Sequence, residues 1–146
     1  MTGSPDVCVL LPTMDEAATI ADVVREYREC GFENVLVIDG GSTDGTPDLA
    51  ADAGARVVEQ SGEGKGQAVR EAVRDHVDAE FVLLADADAT YDAEDAEAML
   101  EPLRSGRAEH VIGDRFADMK PGAMTRLNRI GNRIINRAFA RIHGTD

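Results

Sequence analysis

Short apolar runs alternate with amphipathic stretches along this chain, the pattern of βαβ units wound into a mostly parallel sheet. Val7 to Leu11 reads as a first strand, Ala17 to Cys30 as a helix ended by Gly31, and Val35 to Ile38 as a second strand. Pro47, after Thr46, suits a first helical position, and that helix runs to Ala53 before Gly54 stops it. Val57 and Val58 mark a third strand, and the glycine-rich stretch Gly62 to Gly66 feeds a helix that ends near His76. A strand over 81–85, a helix from Ala93 to Arg104 and a strand over His110 to Ile112 complete the series. No repeat or long linker interrupts it, so residues 1–146 read as one α/β domain.

The final segment has a different pattern. Arg126, Arg129, Arg133, Arg137 and Arg141 recur at helical spacing, and Leu127, Ile130, Ile134, Ala138 and Ile142 recur one position later. The two stripes lie side by side on one basic amphipathic helix over 123–143. Such a helix reads either as an element drawn to a membrane surface or as a core-packed helix with solvated arginines.

Charge sharpens that contrast. Residues 1–114 carry −18 and residues 115–146 carry +5, for a net −13 in 146 residues. Only Lys65 and Lys120 are lysines, and the excess of Asp and Glu resembles the cytosolic proteins of haloarchaea, where net charge serves solubility. Bulk nucleic-acid binding is disfavoured, because neutralising phosphates needs a basic footprint. Cys8 and Cys30 have neither metal-ligand spacing nor the numbers for a disulfide framework, which fits a reducing cytosol. His76, His110 and His143 are scattered and read as structural or exposed. No window approaches 18 apolar residues and no charged-then-apolar leader begins the chain, so a cytoplasmic protein is expected.

The candidate chemistry lies just beyond the strands, where open parallel sheets bind ligands. Asp86 and Asp88 follow the apolar run Phe81-Val82-Leu83-Leu84-Ala85. Two carboxylates about 4 Å apart repel by roughly 4 kcal/mol at an effective dielectric near 20, so such a pair favours a cation. Hard oxygen donors without nearby His or Cys favour Mg²⁺ or Mn²⁺, and Mg²⁺ commonly takes one or two carboxylates plus substrate phosphates. The plainer alternative is a solvated acidic turn. Asp39, followed by Gly40 and Gly41, suits an acceptor for a ribose hydroxyl or a base N–H, whereas Asp44 reads as a brace of the turn into the next helix. Gly64-Lys65-Gly66 can bring an ammonium near phosphate. It is no Walker A loop, since Gly66 replaces the required Ser or Thr, and the spacing 62, 64, 66 does not satisfy G-x-G-x-x-G.

Taken in order, Leu11-Pro12-Thr13-Met14-Asp15-Glu16-Ala17, Val37-Ile38-Asp39-Gly40-Gly41-Ser42-Thr43-Asp44-Gly45-Thr46, Gly64-Lys65-Gly66, Asp86-Ala87-Asp88 and Ile112-Gly113-Asp114-Arg115-Phe116 resemble family 2 glycosyltransferases of the Rossmann-like GT-A fold. Within that family the set is most similar to the archaeal dolichyl-phosphate mannose and glucose synthases. The resemblance implies that Pro12, Met14, Glu16, Ile38 and Asp39 hold the nucleotide base and ribose, and that Asp86 and Asp88 bind the metal that neutralises the donor diphosphate. It further implies that Arg115 contacts phosphate. Three positions depart from the usual pattern: Asp15 stands where Asn is commoner, Gly40 replaces a frequent second Asp, and Thr90 replaces a Gln that can help ligate the metal. Relatives continue past a pair like that in Gly144-Thr145-Asp146, so the chain reads as incomplete at its C-terminus.

The expected reaction is metal-dependent transfer of a hexose, with inversion, from a UDP- or GDP-linked donor to a polyprenyl phosphate such as dolichyl phosphate. The acceptor phosphate is already anionic, so it needs little help from a general base. Arg115, with Arg126 or Arg129, suits the orientation of that phosphate through charge-assisted bonds. Two rivals stand beside this reading. A nucleotide-sugar pyrophosphorylase would open with a glycine- and arginine-rich loop that Leu11 to Ala17 lacks, and a catalytically silent peripheral module would work through the basic helix alone.

Overall fold

The computed structural model describes residues 6–113. The chain divides into two units after Ile112, and the strands and helices of the sheet all belong to the first. Four strands form one parallel sheet in the order β3-β2-β1-β4: β1 is Val7–Thr13, β2 Val35–Asp39, β3 Arg56–Glu59 and β4 Phe81–Leu84. The registers pair Thr13 with Asp39, Asp39 with Glu59, and Leu10 with Leu84. β1 and β2 read as unbroken apolar runs because helices cover both of their faces.

The alternation of side chains along each strand sorts the core into two clusters. Val7, Val9 and Leu11 of β1, Val35 and Val37 of β2 and Leu83 of β4 face α1 (Ile20–Glu29), α2 (Thr46–Asp52) and α4 (Ala96–Arg104). Cys8, Leu10, Leu36 and Ile38 face α3 (Lys65–Glu71) on the other side. Ile20, Val23, Val24 and Tyr27 of α1 recur at i, i+3, i+4 and i+7 and are all buried, which fixes the face that α1 presents. Tyr27 packs edge-on against Phe32, and its phenol is pushed up to about 12, first by burial and then by the Glu26 charge.

The α/β architecture and the order of elements agree with the sequence reading, with local differences that have physical causes. α1 begins at Ile20 rather than Ala17, because Thr19, at φ −125°, lies off the helical conformation with its hydroxyl given to the Ala87 carbonyl. α3 passes into a π-helical turn at Ala72–His76, closed by Val77 N–H to the Ala72 carbonyl. A 3₁₀ turn, Ala93–Asp95, precedes α4; Asp92 caps it, and the Ala93 N–H is taken by Glu26. The strand expected at His110 to Ile112 does not form: these residues pair with no strand, and Ile112 is 80% exposed. An apolar run becomes a strand only beside a partner that takes its N–H and C=O groups, and none adjoins this one among the described residues.

Candidate functional site

β1 is the hinge of the topology. The chain winds from β1 outward through β2 to β3, then returns to place β4 on the other side of β1. The strand order therefore reverses at β1, and the loops after β1 and β4, which both lead to helices on the α1 face, flank the switch point where open α/β sheets take ligands in a crevice. Residues 14–19 and 86–90 form these two loops, joined from Thr19 to Ala87, and the loop after β2 bonds to the first of them.

The loop after β2 is welded to the loop after β1. Asp39, only 3% exposed, accepts the Thr13 hydroxyl at 3.1 Å and the Ser42 hydroxyl at 2.6 Å on one oxygen, and the N–H groups of Gly41 and Ser42 at 2.9 and 2.8 Å on the other. Ser42 in turn accepts the Asp15 N–H, and Asp15 accepts the Thr43 N–H. Asp44 accepts the hydroxyl and the N–H of Thr46 on one oxygen and the Ala17 N–H on the other, while Thr46 accepts the Glu16 N–H. The Thr46 hydroxyl first, and the Ala17 N–H second, hold the Asp44 carboxyl below the usual carboxylate range. Asp15 sits at φ 55°, a conformation that Asp and Asn tolerate better than other side chains, which accounts for those two residues at this position. Gly41, at φ 94°, needs glycine for its backbone; a Cβ on Gly40 would meet the Thr13 carbonyl oxygen at 3.3 Å.

A carboxylate offers about four lone-pair sites, and those of Asp39 are filled from within. Gly40 and Gly41 let the loop fold onto Thr13 and Asp39. Asp44 braces the turn as expected, but across two loops and not one.

The second cluster lies across β1. Leu83, Ala85 and Ala87 all belong to the core that faces α1 and α4, so the alternation of β4 persists to Ala87. Asp86 and Asp88 then fall on the α3 side, with Val82 and Leu84. A small apolar residue between two acids thus anchors the pair, and the Thr19 hydroxyl bonded to the Ala87 carbonyl at 2.6 Å fastens this loop to that of β1. Asp86 is ion-paired with Lys65 at the start of α3 and lies 3.4 Å from the Tyr91 hydroxyl. Asp88 is exposed and accepts the N–H and hydroxyl of Thr90 on one oxygen only, with Ala89 between them held at φ 60°. Lys65 is itself delivered by a braced loop: buried Glu71 accepts the N–H and hydroxyl of Ser61, and the Gln60 N–H bonds to the Asp39 carbonyl.

The structure thus brings Lys65, Asp86 and Asp88 to one side of the rim, and Pro12, Met14, Glu16 and Asp39 to the adjoining loops. Met14 is 64% exposed, whereas the Ile38 side chain is fully buried beneath α3 and offers a ligand only backbone. Arg115, Arg126, Arg129 and the basic helix over 123–143 lie outside the described residues. Thr90 was singled out in the sequence only as a replacement for Gln, and Tyr91 and Thr19 were not legible there, because their contacts depend on which loops meet. Among the described residues no three His, Cys, Asp or Glu side chains converge as a closed metal cage. Two hard carboxylates on one loop fit an ion that completes its shell with ligand phosphates and water.

The glycosyl transferase family 2 model matches residues 8–143. Over 144 residues the chain is 71% identical to glycosyltransferase AglJ of Haloferax volcanii, covering 98% of this chain and 47% of that protein. It is also 38% identical to the dolichyl-phosphate hexose transferase of the same organism over 141 residues, covering 94% of this chain and 58% of that one. The glucosyl-3-phosphoglycerate synthase of Mycobacterium tuberculosis, solved with Mn²⁺, UDP-glucose and phosphoglyceric acid, superimposes with a TM-score of 0.63 at 28% identity, over 68% of this chain and 39% of that one. The same enzyme was also solved with Mg²⁺ and UDP.

Proposed function

Because the chain belongs to glycosyl transferase family 2, we propose that it is the donor-binding part of a metal-dependent, inverting hexosyltransferase that moves a sugar from a nucleotide diphosphate to a polyprenyl phosphate. The observation that carries this reading is the crevice beside β1, where a paired-carboxylate loop and a rigid, braced loop meet at the switch point of the sheet. The chain spans about half the length of the relatives named above, so the acceptor half of the reaction rests on residues beyond those described.

In this reading the nucleoside lies over the loops of Pro12 to Glu16 and Asp39 to Thr46. Asp39 contributes by fixing Thr13, Gly41 and Ser42, so that the surface facing the nucleoside is set before it arrives. Prior fixation lowers the ordering cost of binding. The diphosphate lies at Asp86, Asp88 and Lys65. Asp86 and Asp88 would hold a divalent ion, which would supply neutralisation of the charge that develops on the departing nucleoside diphosphate. Lys65 adds a positive charge on the same side, and Tyr91 and Thr90 orient the carboxylates. Arg115, Arg126 and Arg129 then orient the anionic oxygen of the acceptor phosphate. The acceptor assignment draws on the similarity to the dolichyl-phosphate hexose transferase, and a peripheral position on the cytosolic membrane face is part of the same proposal.

Calorimetry with UDP- and GDP-sugars, each with and without Mn²⁺, tests the donor half. At least one sugar nucleotide should bind, at least tenfold more weakly once chelator is added, and Asp88→Asn should remove the metal-dependent share. Binding that ignores both chelator and Asp88→Asn would overturn the metal assignment, and no binding by any of the panel would overturn the donor reading.

A further inference from the structure

The ion pair between Lys65 and Asp86 joins residues 21 apart in sequence, from the first turn of α3 and the loop after β4. It follows from the fold: α3 covers the sheet face onto which the alternation of β4 turns Asp86, so the start of α3 meets that carboxylate. Asp86 therefore already has a counter-charge, whereas Asp88 has only the N–H and hydroxyl of Thr90 among the described residues. A divalent ion on Asp86 would face the Lys65 ammonium at contact range, and two cations cannot share one carboxylate oxygen without repulsion.

We infer that Lys65 is a built-in competitor for the metal position, and that it exchanges Asp86 for the nucleotide's diphosphate when metal and nucleotide bind together. The inference rests on the donor site proposed above and adds a coupling to it. Metal alone must dislodge the ammonium with nothing to receive it. Metal arriving with a diphosphate meets no such opposition, because Lys65 moves onto phosphate oxygens that carry more negative charge than Asp86. The site is thus biased against holding metal idly and towards taking metal and donor as one load. The pair is partly exposed, with side chains 58% and 33% accessible, so the bias is modest.

Two measurements test this on the full chain. In titrations with MnCl₂ alone, Lys65→Gln should bind Mn²⁺ about three- to tenfold more tightly than the unaltered protein, and Lys65→Arg should not. The gain in Mn²⁺ affinity that UDP or GDP confers should shrink in Lys65→Gln. The second measurement reads the amine itself, since Lys65 and Lys120 are the only lysines. Acetylation by a water-soluble ester, followed by mass spectrometry, should show Lys65 becoming more reactive with Mn²⁺ alone and protected again when the nucleotide is added. Mn²⁺ binding that depends on Asp86 but is unchanged or weaker in Lys65→Gln would overturn the exchange while leaving the donor site intact. Absence of Mn²⁺ binding in every variant, with or without nucleotide, would overturn both.

Discussion

At the scale of single residues, the acids at the strand ends divide into two kinds. Asp39 and Asp44 are spent on holding loops, whereas Asp88 keeps an oxygen without a partner among the described residues. Sequence reasoning found all three positions but could separate the kinds only for Asp44, because a residue's donors are named by tertiary contacts. Thr13, which ends β1, and Ser42, in the loop after β2, reach Asp39 from different parts of the chain. The Asp44 brace has a pH signature. Its folded value lies below the ordinary one, so its contribution is complete above about pH 3.9, the unfolded value, and is lost as pH falls through the folded value. Asp44→Asn should therefore lower the melting temperature at pH 6 to 7, with the gap closing below about pH 4. Thermal unfolding across that range at fixed salt measures it, and a gap that stays constant down to pH 2 would remove Asp44 from the brace.

At the scale of elements, burial separates the central strands from the edge. Leu36 of β2 is fully buried between β1, β3 and α3, whereas Leu84 of β4, on the same face, is 49% exposed. Leu36→Ala should cost about 2 to 5 kcal/mol, and Leu84→Ala well under half as much, by urea denaturation. Equal losses would mean that β4 is covered in solution. The strands and the helices α1 to α4 were legible because apolar spacing is a local signal. The strand expected at His110 to Ile112 was misread because strand formation is not local. Likewise, α1 starts late because Thr19 is off the helical conformation while its hydroxyl bonds the carbonyl of Ala87, 68 residues along the chain.

At the scale of the whole molecule, the separation of −18 in residues 1–114 from +5 in residues 115–146 governs the expected response to salt. If the arginine stripe engages a membrane, replacing Arg126, Arg129 and Arg133 with Gln should reduce sedimentation with phosphatidylglycerol vesicles severalfold at about 0.1 M salt. Neutral vesicles should show little binding by either form. At molar salt the screening length falls to about 3 Å, so any binding that remains there must come from arginines in direct contact with phosphate or from the apolar stripe. Equal binding by the substituted and unaltered proteins at both salt levels would confine those arginines to the solvated face of a packed helix.

The welded loops carry a practical consequence for anyone adapting the protein to dilute buffer. Lowering its acidity is the obvious route, but the carboxylates are not interchangeable. Glu29 and Asp52 are exposed and sit in the last turns of α1 and α2, where a negative charge opposes the helix dipole. They can be neutralised with profit. Asp15 and Asp44 are just as accessible to solvent and would look equally disposable on a surface map. They are rivets, and a redesign guided by accessibility alone would draw them out and let the mouth of the crevice sag open.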